Sequence, residues 1–154
     1  MSLEKATAYL AKFGMADRIR ILDESSATVE LAAHALGCEG ARIAKTLSFA
    51  VGDKTILIVA AGDARIDNHK YKLRFCHKAH MLPHDEVEAR VGHAVGGVCP
   101  FGINPGVTVY LDESLRRFDT VFPACGSGNS AIELTIEELS RLTGNPEWVD
   151  VCRL

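Results

Sequence analysis

The sequence has no long hydrophobic run. Its longest uninterrupted apolar stretch, Ile56 to Ala61, is far shorter than the roughly 20 residues that a helix needs to span a bilayer. The N-terminal residues MSLEKATAYLAKFG carry charges where a secretory signal peptide needs its apolar segment. We therefore expect a cytoplasmic protein that has no membrane partner.

The chain also lacks a strong excess of one charge. Lys and Arg number 17 and Asp and Glu number 20, which gives a formal net charge of -3. No overall positive field draws the protein to nucleic acid. DNA is therefore not an expected partner, and contact with any other nucleic acid has to come from a local patch.

Cysteine is present without the spacing that would make it structural. The chain has 5 cysteines and no C-x-x-C pair, which argues against a disulfide framework and a zinc ribbon. We expect mostly reduced thiols and no bound metal. The cysteines are Cys38, Cys76, Cys99, Cys125 and Cys152.

The remaining composition, 47% hydrophobic and 24% charged, is typical of a globular protein. With no linker or repeat, residues 1–154 are predicted to form a single domain. Short strands mixed with short helices, without regular βαβ alternation, favour an α+β fold with a mixed, largely antiparallel sheet flanked by the helices. Helices are predicted at 3–13, 28–36, 67 onward, 83–91 and 135–143, and strands at 18–22, 45–51, 55–61, 107–111, 119–124, 130–134 and 148–152.

Lys45 is the residue most indicative of function. In the predicted strand KTLSFAV, alternation places it on the same face as Leu47, Phe49 and Val51. A lysine on an apolar face is costly unless its ammonium reaches water, a partner or a ligand. Two interpretations stay open: the side chain extends outward at the end of the strand, or it places a cation at the mouth of a binding cavity.

Two loops rich in glycine could bring backbone close to a ligand. One is GGVCPFG, from Gly96 to Gly102, and the other is GSGN, from Gly126 to Asn129. Glycine permits close approach, and successive N–H groups can face an anion or a carbonyl oxygen. The alternative for both loops is a tight turn. The second loop is not a Walker A motif, because no Lys-Ser or Lys-Thr follows it.

Two other chemistries are conceivable. Cys99 could be a nucleophile with His93 as its base, although free cysteines usually pack in the core. A cluster of Cys76, His77, His80 and His84 could hold a metal, but Pro83 interrupts the helix before the last histidine. A solvated polar face is the alternative for that cluster.

Several motifs in order resemble a known family. LGCEGARIAKTL leads to Lys45, and GDARID, VGGVCPFG, VTVYLDESL and CGSGNSAIELTIEEL follow. In these motifs, from about residue 27 to residue 150, the chain resembles the YbaK/EbsC family, which is related to the editing domain of bacterial prolyl-tRNA synthetases. The resemblance implies a compact, barrel-like α+β domain that hydrolyses the ester of mischarged aminoacyl-tRNA in trans, without a cofactor.

The resemblance also implies roles for individual residues. Lys45 and the loop Gly126, Ser127 and Gly128 would be catalytic, the latter through backbone N–H groups that face the ester carbonyl. A large side chain at Gly126 would then harm catalysis more than stability. Substrate binding would involve Thr46, Gly96, Gly97, Pro100, Phe101, Gly102, Ala124 and Asn129.

The amino acid to be removed stays open. Family members that act on cysteinyl-tRNA carry Ser and Asp where this chain has Ala124 and Ala131, and members that remove alanine often carry a His in the second glycine loop. The plausible set is alanine, serine, threonine or a small non-protein amino acid. Two alternative functions remain: a non-catalytic module that binds tRNA ends or a synthetase, and a hydrolase dependent on cysteine or metal.

A basic segment could hold the tRNA. Between residues 65 and 78 there are five basic residues and one acidic residue, Asp67. One interpretation is a solvated helix face; the other is contact with phosphates of the acceptor end. The residues assigned to that contact are Arg65, Lys70, Lys72 and Arg74, with Arg18, Arg20 and Arg42 as a second possible set.

Overall fold

The computed structural model describes residues 2–154. The helices are α1 (Ser2–Ala11), α2 (Val29–Leu36), α3 (Asn68–Phe75), α4 (His84–Val91) and α5 (Ile136–Leu142), with 3-10 turns at Ala16–Arg18, Gly40–Arg42 and Glu113–Arg117. The strands are β1 (Arg20–Ile21), β2 (Ile43–Val51), β3 (Lys54–Ala61), β4 (Arg65–Ile66), β5 (Thr108–Asp112), β6 (Thr120–Pro123), β7 (Ser130–Ala131), β8 (Leu134–Thr135), β9 (Glu147–Val149) and β10 (Cys152–Arg153).

Local sequence signals account for the helix ends. The Thr28 side chain accepts a hydrogen bond from the Leu31 N–H and caps α2, which Gly37 ends in a left-handed conformation. The Asp67 carboxylate caps α3, and Thr135 and Glu138 form a capping box at the start of α5. The predicted helices are therefore confirmed to within a few residues.

The main sheet has six strands in the order β8-β6-β2-β3-β5-β9. Its centre is an antiparallel hairpin of β2 and β3, formed by the predicted strands at 45–51 and 55–61, while β6, β5 and β9 join in parallel. Within residues 2–154, the main sheet has two antiparallel and three parallel pairings and is mixed as predicted, and the two small sheets, β1 with β7 and β4 with β10, add two antiparallel pairings. Three parallel pairings in the main sheet are more than the hairpin pattern alone indicates.

Two predicted strands are each divided into two. Residues 130–134 form β7, which pairs with β1, and β8, which pairs with β6. Residues 148–152 are divided because the Asp112 carboxylate accepts the Val151 N–H between β9 and β10. A local apolar pattern does not specify which neighbour each half of a segment meets.

The β3 strand is buried on both faces, as its continuous apolar sequence predicts. On one face Phe49 of β2 contacts Tyr71 of α3, with ring centroids 5.2 Å apart. On the other, Leu57 packs in one cluster with Val87 and Val91 of α4. Within residues 2–154, no helix has both the length and the apolar character required to cross a bilayer.

Candidate active site

A cavity of about 310 Å³ lies against β2. Its lining is mostly apolar side chains with several hydroxyl groups, and no Asp or Glu of residues 2–154 takes part. This combination of an apolar wall and a few polar groups is typical of a site for a small ligand. The lining comes from residues 26–29 and Ala32, from residues 43–48, from Met81, Leu82, His84 and Val87, from Val95, Gly96 and Val98, and from Phe122, Ala124, Ser130 and Ala131.

Lys45 lines this cavity and is half-buried. Its ammonium donates hydrogen bonds to the carbonyl oxygens of Gly62, at 3.3 Å, and of Ala64, in the turn between β3 and β4. Burial lowers the pKa of Lys45. The ammonium is therefore held by backbone carbonyls that follow β3 and does not extend into solvent, and the residue borders the cavity. Whether it binds a ligand there stays a prediction. Two of its three N–H groups are used by the chain's own carbonyls.

The neighbouring Thr46 also lines the cavity, with its hydroxyl oxygen shielded from solvent. Within residues 2–154 that oxygen has no hydrogen-bond partner, and the same is true of Ser26 across the cavity lining. Buried hydroxyls in native proteins nearly always have a partner. Two residues of the lining therefore carry shielded hydroxyls that the described chain leaves unpaired.

The two glycine loops pack against each other. A Cβ built on Gly97 would lie 2.6 Å from the backbone of Gly126 and of Ser127. Real Cβ atoms do not approach that closely, so the contact requires glycine. Sequence reasoning predicted that both loops belong to one site, and the structure brings them together through their backbones.

The same loops also pack against α1. Gly126 has φ +93°, and a Cβ there would lie 2.6 Å from the Ser2 carbonyl carbon; Gly102 has φ +69°, and its Cβ would lie 2.5 Å from the Lys5 carbonyl oxygen. These two glycines and Gly97 are here called the packed glycines. Their close neighbour is the chain's own backbone. Their predicted roles in catalysis and substrate binding stay predictions.

Two other loop glycines approach the cavity. A Cβ on Gly96 would lie 3.4 Å from the Ala27 Cβ, and one on Gly128 would lie 3.7 Å from it. Ala27 lines the cavity, as does Gly96. We call Gly96 and Gly128 the rim glycines. Of the residues assigned to the site from sequence, the cavity lining includes Lys45, Thr46, Gly96 and Ala124.

The remaining predicted residues lie outside the lining. Phe101 is fully buried in the core, while Pro100 and Gly102 border a second hollow beside Tyr9. The Ser127 hydroxyl lies 3.0 Å from Asn129 Oδ1, which can only accept its single hydrogen, and 2.6 Å from the hydroxyl of Ser130. Ser130 lines the cavity, so Ser127 reaches it through one intervening side chain.

Sequence reasoning missed the segment that faces β2 across the cavity. Residues 26–28 lie in the loop between β1 and α2, Val29 begins α2, and the Ser26 N–H donates to the Gly128 carbonyl oxygen at 2.6 Å. The segment DESSAT resembles an ordinary polar loop, so composition gives no signal of its position. Phe122 was also missed, and Arg20 and Arg42 lie over its ring at 5.7 and 5.1 Å.

His93 and Cys99 do meet, but inside the core. Both are fully buried, and the Cys99 sulfur lies 3.5 Å from His93 Nε2. That nitrogen lies 2.6 Å from the Phe101 carbonyl oxygen, which can only accept, so Nε2 carries a proton and cannot take one from the thiol. Burial also raises the pKa of Cys99 to about 12 and lowers the pKa of His93. This arrangement does not support a thiolate nucleophile.

The cysteine and histidine cluster does not form a metal site in the described chain. Within residues 2–154, no three His, Cys, Asp or Glu residues are grouped so that they could hold an ion. Cys76 occupies the left-handed position that ends α3, and the His80 carbonyl accepts the Ala50 N–H. The structure thus gives two members of the cluster local structural roles.

The basic segment divides into paired and unpaired charges. Lys70 contacts Asp150 at 3.1 Å, and Arg74 forms an ion pair with Glu147. Among residues 2–154, neither Arg65 nor Lys72 is ion-paired, and both are exposed. In the second possible set, Arg18 pairs with Glu138, and Arg20 and Arg42 pair with Glu133.

Comparison with known proteins gives one consistent result. The uncharacterized protein YwhH of Bacillus subtilis (strain 168) is 52% identical over 154 residues, which cover 99% of this chain and 98% of that protein. EbsC of Enterococcus faecalis (strain ATCC 700802 / V583), described as a candidate Cys-tRNA(Pro)/Cys-tRNA(Cys) deacylase, is 32% identical over 131 residues, which cover 83% of this chain and 79% of EbsC.

A solved structure and a family model agree with these relatives. The structure of a candidate trans-editing enzyme for prolyl-tRNA synthetase superposes with a TM-score of 0.88 at 29% identity, covering 99% of this chain and 98% of that one. The similarity to EbsC and to this fold confirms the resemblance to the YbaK/EbsC family. The model of the aminoacyl-tRNA editing domain matches residues 23–142, and the chain therefore belongs to the aminoacyl-tRNA editing domain family.

Proposed function

We propose that this protein is a trans-acting deacylase, which hydrolyses the ester of a mischarged aminoacyl-tRNA whose amino acid is small. The observation that carries the proposal is the cavity of about 310 Å³ bordered by Lys45 and lined by apolar and hydroxyl side chains. A cavity of this size accepts an aminoacyl group, while the bulk of a tRNA has to stay outside. The family to which the chain belongs supports the reaction class.

The chemistry requires little beyond positioning. Water attacks the ester carbonyl and gives up a proton; the bond from that carbon to the ribose oxygen breaks, and the ribose oxygen takes the proton. If a ribose hydroxyl of the substrate attacks first, the acyl group only moves to that neighbouring oxygen, and water still has to cleave the new ester. With water as the nucleophile, the products are the free amino acid and the tRNA. An ester at this position is already activated, so orientation and donors to the developing oxyanion supply the acceleration.

In this proposal Lys45 acts electrostatically. Its ammonium is fixed by the carbonyls of Gly62 and Ala64, which leaves one N–H for a substrate oxygen. A cation held in place before the substrate arrives stabilises developing negative charge without reorganisation. The rim glycines allow the substrate backbone to approach past Ala27, and backbone N–H groups of residues 126–128 remain the proposed donors to the ester carbonyl.

The tRNA is held outside the cavity. Arg65 and Lys72 have charges that no carboxylate of residues 2–154 neutralises, so they are the strongest candidates for phosphate contacts. Association with an aminoacyl-tRNA synthetase, which would deliver newly mischarged tRNA, is part of the proposal, and so is a cytoplasmic location. The proposed hydrolysis requires no cofactor.

A panel of charged tRNAs tests the function. One tRNA is charged in turn with alanine, serine, threonine, 2-aminobutyrate, cysteine and proline, and release of the amino acid is followed with the wild type and with Lys45→Ala. Release that depends on Lys45 for at least one small amino acid is the expected result. Binding of the charged tRNA without release of any amino acid would instead identify a non-catalytic module.

A further inference from the structure

The Lys45 ammonium is bound by the residues on both sides of Asp63. It donates to the carbonyl oxygen of Gly62, at 3.3 Å, and to that of Ala64. The Gly62 carbonyl is part of the peptide group that leads into Asp63, and the Ala64 carbonyl belongs to the residue that follows it. A rotation of the backbone at Asp63 therefore moves the two groups that hold the ammonium.

One 3-10 turn on each side holds the chain that leads to this position. On one side the Gly62 N–H donates to the Ala41 carbonyl at 3.3 Å, and a Cβ on Gly62 would overlap the Gly40 carbonyl oxygen. On the other side the Ala61 N–H donates to the Ser114 hydroxyl at 3.1 Å. These contacts fix the backbone as far as residue 62.

The Asp63 side chain is held by an arginine that is itself fixed. Arg117 Nη1 lies 3.1 Å from Asp63 Oδ2, and Nη2 lies 2.5 Å from Oδ1, so both carboxylate oxygens are paired. The third guanidinium nitrogen, Nε, donates to the Ser114 carbonyl oxygen at 2.9 Å. Because all three nitrogens of a planar group are used, the pair has a defined direction that a single charge contact would lack. The hydrogen bonds from Arg117 also hold the pKa of Asp63 below its usual range.

We propose that Asp63 and Arg117 are positioning residues for Lys45, acting through the two carbonyls that hold its ammonium. This inference rests on the proposed deacylase function and adds to it two residues that lie outside the cavity lining. A preorganised cation has to lie where negative charge develops. A displacement of about 1 Å at such a group can lower a rate by about 100-fold.

The test removes the ion pair and follows the two kinetic constants separately. Asp63→Asn and, separately, Arg117→Ala should each lower kcat for the best ester of the panel by about 10-fold and change KM by less than about twofold. Because the two residues act as a unit, the double variant should lose no more than the weaker of the two single variants. Exposed ion pairs contribute little to stability, so all three proteins should keep the wild-type unfolding midpoint.

Dependence on Lys45 distinguishes positioning from a general effect on the fold. In a Lys45→Ala background, Asp63→Asn should change the residual rate by less than about twofold, because no ammonium is left to position. Single-turnover assays with excess enzyme make that slow rate measurable above spontaneous hydrolysis. A loss as large as in the wild-type background would overturn the proposal.

Glu113→Gln is the matched control. Glu113 forms an ion pair with Arg116 at 2.6 Å in the 3-10 turn that also contains Arg117, and its side chain is 45% exposed, against 42% for Asp63. The change is again from a carboxylate to its amide, and it leaves the proposed pair in place. It should keep kcat and KM within about twofold of the wild type. A loss equal to that of Asp63→Asn would contradict the proposed role.

Direct contact between Arg117 and a phosphate of the tRNA predicts a different pattern. Arg117→Ala would then raise KM and reduce its salt slope, whereas Asp63→Asn would free the guanidinium and lower KM. That pattern would overturn positioning and assign Arg117 to tRNA binding.

A measurement without substrate separates this inference from the function beneath it. Protons held in hydrogen bonds exchange with water only when those bonds open, and nuclear magnetic resonance of lysine ammonium groups identifies the Lys45 signal by its loss in Lys45→Ala. Asp63→Asn should speed the exchange of that signal several-fold, while Glu113→Gln should not. No release from any ester would overturn the deacylase, whereas an unchanged exchange rate in Asp63→Asn would overturn the positioning of Lys45.

Discussion

The β2 wall of the cavity and the packed glycines differ in what their residues contact: the cavity in the first case and backbone of the same chain in the second. On β2, Lys45 and Thr46 border the cavity, and the Thr46 hydroxyl has no partner among residues 2–154. In the loops, Gly97, Gly102 and Gly126 abut backbone of the same chain. Both regions carry residues that the sequence associates with ligand binding. The difference teaches that a position which requires glycine for close approach does not show whether its close neighbour is a ligand or the chain's own backbone.

The largest effect is expected from a side chain on a packed glycine. Gly126→Ala adds a Cβ that would lie 2.6 Å from the Ser2 carbonyl carbon, at a φ of +93°. We expect the free energy of unfolding to fall by about 3 kcal/mol or more, since strain and overlap with backbone combine. From the sequence we expected a larger side chain at Gly126 to reduce catalysis more than stability, whereas the structure predicts that stability is reduced more. Chemical denaturation followed by circular dichroism measures the loss.

A control separates the backbone strain from the overlap. Gly52, in the β2–β3 turn, also has positive φ, at +61°, but a Cβ there meets nothing within 4 Å. Gly52→Ala should cost only about 1 kcal/mol. If Gly126→Ala is as stable as Gly52→Ala and yet loses its turnover, the second glycine loop is catalytic and the comparison with the β2 wall breaks down.

Lys45 should show the opposite behaviour, with activity lost and the fold kept. Lys45→Ala removes a cation fixed near the cavity, and we expect kcat/KM to fall by about 100-fold to 1000-fold, as when an oxyanion donor is removed. Lys45→Arg should also fail substantially, because a planar guanidinium does not replace a compact ammonium. Deacylation assays on the best substrate of the panel, beside thermal unfolding, check both halves of the prediction.

The pH dependence sharpens the assignment of Lys45. Burial lowers the pKa of this lysine, and the proposed role needs its charged form. Activity should therefore be present at lower pH and decline as pH rises through that lowered pKa, after spontaneous ester hydrolysis is subtracted. The residual activity of Lys45→Arg should lack this decline, since arginine keeps its charge. The same decline in both proteins would assign the titration to another group.

The parts of the molecule that sequence could predict are those set by local chemistry. The helices predicted to begin near Thr28 and Asp67 and the strand predicted at residues 55–61 depend on neighbours within a few residues, and each was confirmed. The segment that holds Ser26 beside the cavity is fixed by distant partners, since the Leu22 and Ser26 N–H groups donate to the carbonyls of Asn129 and Gly128, about a hundred residues away. Nothing in the composition of a polar loop specifies such a partner, so the wall opposite β2 could not be predicted.

In the basic segment, unpaired charges can be compared with paired ones, and we expect a moderate effect on tRNA binding. Replacing Arg65 and Lys72 together by Ala should raise KM for charged tRNA a few-fold and reduce its salt slope by about one unit for each lost phosphate contact. Replacing Lys70 and Arg74 should change both less, because these two are already paired with Asp150 and Glu147. In both double variants kcat should stay nearly constant.

If the two double variants change KM and the salt slope to the same extent, the distinction between the paired and the unpaired charges has no effect on tRNA binding. If each changes KM and salt slope equally, the ion pairs open when tRNA binds and the whole segment acts as one patch. If neither changes them, the tRNA lies on another face, and the variants of Arg18, Arg20 and Arg42 become the next test.

The smallest effect is expected at Cys99, which faces its own chain as the packed glycines do. Cys99→Ser should keep kcat within about twofold, because the thiol is fully buried, lies outside the cavity lining and has a pKa raised to about 12. Iodoacetamide should label the exposed Cys76 and leave Cys99 and the activity intact, as mass spectrometry and a parallel assay would show. A Cys99→Ser protein that folds with a wild-type unfolding midpoint yet releases no amino acid would restore the thiol mechanism, and it would mean that the His93–Cys99 contact opens toward the substrate during turnover.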